Sequence, residues 1–357
     1  MDLTVVFLGQ RGAGVRFVEI FQRFSDCNSR NTSFLISRKA KNQLPTSDSK
    51  MFTTLSIPNW KFLSLLPFVL LHQLWTLVII TKLRSRHFLF VMPSPSDLFL
   101  LLLLRTLRFP CSFILHDATT HSGEKWPTSK SIKFRIRISN KIITLSKYSQ
   151  SEILRTYGAN SLYLPHPSFS ISPHAKQHDD LKNLDNYFLY VGRIRDYKGV
   201  PDLVNAYQRR SRSSLLVIAG EGKLQMQLQD NIIVLNRWLS DAEIEFLLGR
   251  ARVVVFPYKD ASQSGIIPTC ISLGVPMIVS DAGALEEQAS AGELLGVFPA
   301  GDTECLAELL TKVESGYLQP KVSTRVDYER AAKFSNASSR RFVNEVVNHL
   351  HGDNKHF

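Results

Sequence analysis

The sequence predicts an α/β protein of two domains with parallel sheets, and three observations carry that prediction. The chain has 357 residues, more than one ordinary core accommodates, which points to two domains of about 150–180 residues each. Its second half alternates short apolar runs with helical stretches: strands at 187–191, 215–219, 232–235, 253–256 and 277–280, helices at 200–208, 241–249 and 268–273. Strands separated by helices imply parallel pairing under helices on both faces. The third observation is the stretch YFLYVGRIRDYKG at 187–199, a strand followed by a turn bearing Arg193, Arg195 and Lys198. A helix with Pro201 in its first turn follows. Cations and backbone N–H groups thus gather in one place, which suits a phosphate or diphosphate, and Gly192 and Gly199 let the backbone come close to it. A solvated basic loop is the plainer alternative.

The hydrophobic fraction of 44% and charged fraction of 21% are those of a globular chain. Net charge is +12 and the isoelectric point about 9.6, which calls for an anionic partner: a membrane surface, nucleic acid or a phosphorylated substrate. Nucleic acid is set aside, because the chain has no recognition motif and no basic stretch interleaved with aromatics. Cys27, Cys111, Cys270 and Cys305 are scattered with no C-x-x-C pair, so they indicate reduced thiols rather than zinc or a disulfide framework. The opening MDLTVVFLG lacks the features of a signal peptide and reads as a first strand.

In the first half, residues 3–8 form a strand, followed by a loop with Gly9, Gly12 and Gly14 and a helix at 17–24. The spacing is not G-x-G-x-x-G, so no nicotinamide site is expected. The glycines either admit a substrate to the helix start or merely make a tight turn. Residues 33–36 read as a strand and 38–51 as a polar loop. Residues 62–81 are nearly free of charge but contain Pro67, His72 and Gln73, and Lys82, Arg84 and Arg86 follow. A helix on the membrane surface is favoured there over a spanning segment, with a buried core helix also open.

Strands at 87–92 and 112–115 flank a turn at 93–97 and an apolar helix at 98–107. The second strand releases HDATTHSGEKW, with His116, Asp117, His121 and Glu124 where open α/β sheets bind ligands. A catalytic or substrate-binding loop is the favoured reading. A metal site lacks regular helical spacing, and a plain surface loop stays open. A strand at 141–145 and a capped helix at 149–156 ending at Gly158 follow, and residues 162–164 then lead into Pro165, His166 and Pro167. The polar stretch 168–186 reads as an interdomain linker, and 328–349 as an amphipathic helix.

With these residues in view, the second half resembles the donor domain of a GT-B-fold glycosyltransferase of the large retaining family four, the group 1 type. GRIRDYKG at 192–199 is similar to its G-R-x-x-x-x-K-G signature, and LLVIAGEG at 215–222 to its next strand and turn. WLSDAEIEFLLGRARVVVFPY at 238–258 and SQSGIIPTCISLGVPMIVSDAGALEE at 262–287 resemble the elements around its sugar-nucleotide loop, the latter in a subgroup carrying S-G. Together they cover about 100 residues in family order. The first half resembles the family more loosely, through the Gly-rich loop and the H-D…H-x-G-E stretch, and FSNASSRRF at 334–342 resembles the helix that crosses back to the first domain. One departure stands out: Ala261 and Thr269 occupy the places of two glutamates that bind sugar and ribose in many members, a charge-assisted contact worth about 1.5–3 kcal/mol where present.

The resemblance implies two Rossmann-like domains facing across a cleft: 1–170 on the acceptor side, a linker at 171–186, a donor domain at 187–330 and a crossing helix and tail at 331–357. It implies transfer of a sugar from a nucleotide-sugar donor to a lipid-linked or oligosaccharide acceptor, with retention, in cell-surface polysaccharide synthesis. His116, Arg193 and Lys198 take the catalytic places. Gly12, Gly14, Asp117, His121, Glu124, Gly192, Glu221, Gln263, Ser264, Gly265, Ile266 and Glu287 take the substrate-binding ones, with backbone N–H groups at 264–266 on the phosphates. No metal or other cofactor is expected, since two cations suffice for the diphosphate. Basic charge and the 62–81 segment place the protein at the cytoplasmic face of an anionic membrane. The alternatives are a catalytically impaired nucleotide-sugar-binding or partner subunit and a UDP-sugar epimerase.

Overall fold

The computed structural model describes residues 2–25, 32–44, 50–54, 78, 87–120, 127–169, 171–172, 181–210, 214–320 and 326–351. Two parallel sheets organise them. The first contains β1 (Leu3–Phe7), β2 (Thr32–Ser37), β3 (Lys50–Thr54), β4 (His87–Phe90), β5 (Cys111–Leu115), β6 (Lys141–Thr144) and β7 (Leu162–Tyr163), in the order β3-β2-β1-β4-β5-β6-β7. The second contains β8 (Tyr187–Val191), β9 (Leu216–Ala219), β10 (Ile232–Leu235), β11 (Ala251–Phe256), β12 (Met277–Ser280) and β13 (Leu294–Phe298), in the order β10-β9-β8-β11-β12-β13. The strands LTVVF, CSFIL and YFLYV are buried at every residue, as strands covered on both faces must be.

Each sheet reverses its strand order beside its first strand, between β1 and β4 and again between β8 and β11. At such a switch point the connections leave in opposite directions and open a crevice beyond the carboxyl ends of the strands. The α/β architecture and its two parallel sheets match the sequence expectation.

Several elements differ from that expectation. Residues 38–51 are not a plain polar loop: a one-turn helix at Arg38–Lys41, capped by the Ser37 side chain on Ala40 N–H, precedes β3. β3 lies at the sheet edge, so its sequence KMFTT lacks the apolar run of a central strand. The helix after β1 starts at Ala13 rather than at 17, because Gly12 turns the chain at φ +91°. Helices at Ser129–Ile138, Leu285–Ala289 and Thr303–Glu314 and strand β13 had no counterpart in the sequence reading. The first of them buries Arg135, which pairs with the equally buried Asp97 at 3.4 Å, so its inward face looks polar in sequence. The segment 62–81, save Val78, and Lys82, Arg84 and Arg86 lie outside the described residues. No helix among the described residues is long and apolar enough to cross a membrane.

The last helix, Tyr328–His351, joins the two halves. Ala331 packs into the core around the second sheet, whereas Phe342, Val343, Val346, Val347 and Leu350 pack into the core under β1. Each such apolar side chain contributes about 1.5–3 kcal/mol when fully buried. Ser339 Oγ donates to the Ser168 carbonyl at 2.6 Å and Ser335 Oγ accepts from Ile171 N–H at 3.3 Å, which fastens the chain between the sheets to this helix.

Candidate functional site

Two adjoining cavities occupy the crevice between the sheets. The smaller, about 220 Å³, is lined from the first domain by Ala13, Met92, His116, Asp117 and His166, and from the second by Arg193, Lys198, Tyr258 and the 263–266 loop. The larger, about 450 Å³, runs past Arg11, Gly12, Arg193, Arg195, Glu221 and Trp238. Gly192, Arg193 and Ile266 border both.

The basic turn is built by local chemistry. Tyr190 donates its hydroxyl to the Arg193 carbonyl at 2.7 Å, pinning the chain as it leaves β8. A 3₁₀ turn at Asp196–Lys198 then ends in Gly199 at φ +63°. A Cβ on Gly199 would lie 1.7 Å from the Pro257 carbonyl, so only glycine lets this turn meet the exit of β11. Lys198 Nζ sits 3.5 Å from the centroid of the Tyr258 ring and 5.0 Å from that of Tyr197, an aromatic cradle that steers the ammonium by cation–π attraction. The sequence reading found the cation but not the two tyrosines; the aromatic residue three places after Val255 was the available signal.

His116 leaves β5 buried, at 2% exposure. Its Nε2 faces the Val91 carbonyl at 2.9 Å and its Nδ1 faces the Gln263 amide nitrogen across the cleft at 3.4 Å. A carbonyl only accepts, so the proton resides on Nε2. Burial holds the imidazole below its ordinary pKa, against the opposing Val91 hydrogen bond and Asp117 charge, so the ring is neutral at pH 7. His166, from the Pro165-His166-Pro167 turn, lines the same cavity and was missed as a site residue.

Two expected site residues stand elsewhere, and a third has its backbone donor engaged. Gly14 lies in the first turn of the helix, where a Cβ would meet the Phe7 ring at 2.1 Å; it is glycine because helix and strand touch there, and it lines neither cavity. The Glu287 carboxylate is engaged with the first domain, accepting from the N–H groups of Lys147 at 2.8 Å and Tyr148 at 3.2 Å, and is absent from both cavity walls. Ser264 N–H donates to Gln288 Oε1 at 2.7 Å, so the expected backbone donors of the 264–266 loop reduce to Gly265 and Ile266. His121 and Glu124 lie outside the described residues. Gly12, Asp117, Gly192, Glu221, Gln263, Ser264, Gly265 and Ile266 all border one cavity or the other.

Polar contacts tie the domains together around the cleft. Arg11 reaches Glu221 at 3.1 Å and lies over the Trp238 ring at 4.5 Å, Arg16 meets Asp241 at 2.8 Å, and Ser146 Oγ donates to the Ser262 carbonyl at 2.9 Å. Ala261 is buried beside Gln263 and brings only a methyl to the cavity wall.

Two parallel-sheet α/β domains that meet at a crevice have the architecture of GT-B glycosyltransferase structures. Residues 185–315 match the family described as Glycosyl transferases group 1. The O-antigen chain mannosyltransferase C of Escherichia coli is 26% identical over 181 residues, covering 46% of this chain and 48% of that protein. The chain thus spans about half the length of the curated relative it matches. Among solved structures, a sucrose-phosphate synthase from Thermosynechococcus elongatus superposes with a TM-score of 0.71 at 14% identity, covering 98% of this chain and 99% of that one. HepE of Anabaena in complex with UDP-glucose superposes with a TM-score of 0.67 at 14% identity, covering 98% of this chain and 100% of that one.

Proposed function

We propose that the protein is a glycosyltransferase that moves a hexosyl group from a nucleotide-sugar donor to a lipid-linked or oligosaccharide acceptor, with retention of configuration, in cell-surface polysaccharide synthesis. The observation that carries this reading is the convergence of Arg193, Lys198 and the 264–266 loop with His116 in one cavity. In this reading Arg193 and Lys198 neutralise the leaving nucleoside diphosphate as its charge develops, and Gly265 and Ile266 present backbone to the same phosphates. The larger cavity, with Trp238 and Arg11, takes the nucleoside. Two fixed cations serve the diphosphate without a metal or other cofactor. The named activity of the Escherichia coli relative and the UDP-glucose held by HepE support the donor and acceptor classes.

His116 stands beside the transferred sugar as a neutral hydrogen-bonding ring. The division of the chain follows as proposed boundaries: an acceptor-side domain at 1–170, a connection at 171–186, the donor domain at 187–330 and the crossing helix beyond. Work at the cytoplasmic face of an anionic membrane follows from the charge of +12 and the 62–81 segment with its trailing Lys82, Arg84 and Arg86. Co-sedimentation with anionic vesicles at low salt, lost with salt or with neutral lipid, is expected; no sedimentation with anionic vesicles contradicts that part.

Thermal denaturation against nucleoside diphosphates and their sugars tests the donor site, because a ligand that binds the native state raises its stability by RT ln(1 + [L]/Kd). At least one diphosphate is expected to raise the melting temperature, and the Arg193→Ala variant to lose the rise. A second reading, a subunit that binds the donor without transferring it, is favoured by Ala261 and Thr269. It predicts the same stabilisation without turnover. An epimerase instead converts the donor with no acceptor present.

A further inference from the structure

Two residues that line the smaller cavity each hold a buried hydrogen-bond acceptor with no partner among the described residues. One is Nε2 of His166. The ring is 7% exposed, and its Nδ1 faces the Pro167 carbonyl at 2.8 Å, which fixes the proton on Nδ1. Burial, followed by the neighbouring His116, pushes its pKa down to about 3, so Nε2 keeps its lone pair throughout the physiological range. The other is Oε1 of Gln263. The lone pair on Nδ1 of His116 requires a donor, so the Gln263 amide turns its nitrogen there and leaves its oxygen without a partner.

Both groups are held in place. Phe17 meets the His116 ring edge-on at 5.0 Å and the His166 ring at 5.5 Å, and Phe169 closes on His166 at 5.4 Å. A Cβ built on Gly265 would lie 3.7 Å from His166 Nε2, so this acceptor adjoins the loop that follows the basic turn in the cavity wall. Buried acceptors without partners are costly in a folded protein, by an amount that a donor on a bound ligand recovers.

We infer that His166 and Gln263 form a pair that reads hydroxyl groups on the transferred sugar, and that the donor carries a neutral hexose rather than a hexuronate. This rests on the reading of the cleft as a nucleotide-sugar site. A hydroxyl donates to either acceptor. An ionised carboxylate only accepts, so it leaves both unsatisfied and sets its charge against two lone pairs. Ala261 adds nothing polar to this wall, so the pair supplies the selection from that side.

Calorimetric affinities for UDP, GDP, UDP-glucose, UDP-galactose, UDP-N-acetylglucosamine, GDP-mannose and UDP-glucuronate test the inference on the full chain. In the wild type, one neutral nucleotide sugar is expected to bind at least about tenfold tighter than its own diphosphate, and UDP-glucuronate no tighter than UDP. His166→Phe keeps an aromatic ring in the Phe17–Phe169 cluster, and Gln263→Leu keeps its bulk. Each is expected to lose most of the sugar's increment while diphosphate affinity stays within about twofold. If no nucleotide binds the wild type, the nucleotide-sugar reading fails and this inference with it. If nucleotides bind but no neutral sugar adds affinity, if the increment survives in both variants, or if UDP-glucuronate binds tighter than every neutral sugar, the inference alone is overturned.

Discussion

The carboxylate of Glu287, in the second domain, closes on the N-terminus of the helix Lys147–Tyr157 in the first, accepting from Lys147 N–H at 2.8 Å. Two N–H groups at a helix start and the positive end of its dipole make this a favourable place for a negative charge, worth about 1 kcal/mol. Ser146, the N-cap of the same helix, also donates to the Ser262 carbonyl beside the cavity. One cluster of contacts therefore links the meeting of the two domains here to the 262–266 loop.

Replacing Glu287 with Ala is expected to loosen the domain arrangement without removing a ligand contact. Small-angle scattering should show a larger radius of gyration, with nucleoside diphosphate affinity within about twofold of wild type. A drop of tenfold or more in that affinity at unchanged radius means that Glu287 binds the donor instead.

Arg193→Ala and Lys198→Ala are each expected to lower kcat/KM by about 2–4 kcal/mol of transition-state stabilisation, as loss of a donor aimed at a developing oxyanion does. The melting temperature of Arg193→Ala should be close to wild type. Tyr258→Leu, which removes the ring 3.5 Å from Lys198 Nζ, should weaken turnover less than loss of the lysine itself. Steady-state kinetics of the three variants check the ranking.

Trp238 is half-exposed on the wall of the larger cavity with the Arg11 guanidinium over its ring. Nucleotide entry there is expected to change tryptophan fluorescence, and Trp238→Phe should abolish the change. An undiminished signal from the other three tryptophans places the nucleoside elsewhere.

His87 is buried against the Ser112 hydroxyl at 2.8 Å, and burial, aided by Lys141 and His351, pushes its pKa down to about 4. Above pH 6.5 it is neutral folded or unfolded and contributes nothing. As pH falls from 6.5 towards 4 the unfolded chain takes up a proton that the folded chain refuses, so the wild type loses stability. The gap between wild type and His87→Gln should accordingly move in the variant's favour by roughly 2–3 kcal/mol over that window. Denaturant titrations of both proteins at pH 7, 5.5 and 4.5 measure it; a gap that does not change with pH contradicts the assignment.

The architecture was legible because central strands of a parallel sheet are written as unbroken apolar runs, of which YFLYV is the clearest. Where a position departs from that rule the reading missed the element. The edge strand KMFTT looks polar, and the helix Ser129–Ile138 hides its inward face behind a buried Arg135–Asp97 pair. The cavity lining was legible where one local segment carried it, as in the turn from Arg193 to Lys198. It was not where partners meet only in three dimensions. His166 looked like part of a proline-rich lead into a linker, yet it sits in one cavity with His116 and Gly265. Gly14 and Glu287, which line neither cavity, are the converse case. A glycine required by the Phe7 ring and an acid spent on a helix in the other domain have the same letters as ligand-binding residues.

Sugar transfer itself tests the account most directly. Purified protein is incubated with a nucleotide sugar that stabilises it and with oligosaccharide or lipid-linked acceptors, and diphosphate release and labelled product are followed together. The account predicts release and transfer in equal amounts, dependent on acceptor and nearly abolished in Arg193→Ala. Donor binding with no release under any acceptor, or conversion of the donor with no acceptor present, contradicts it.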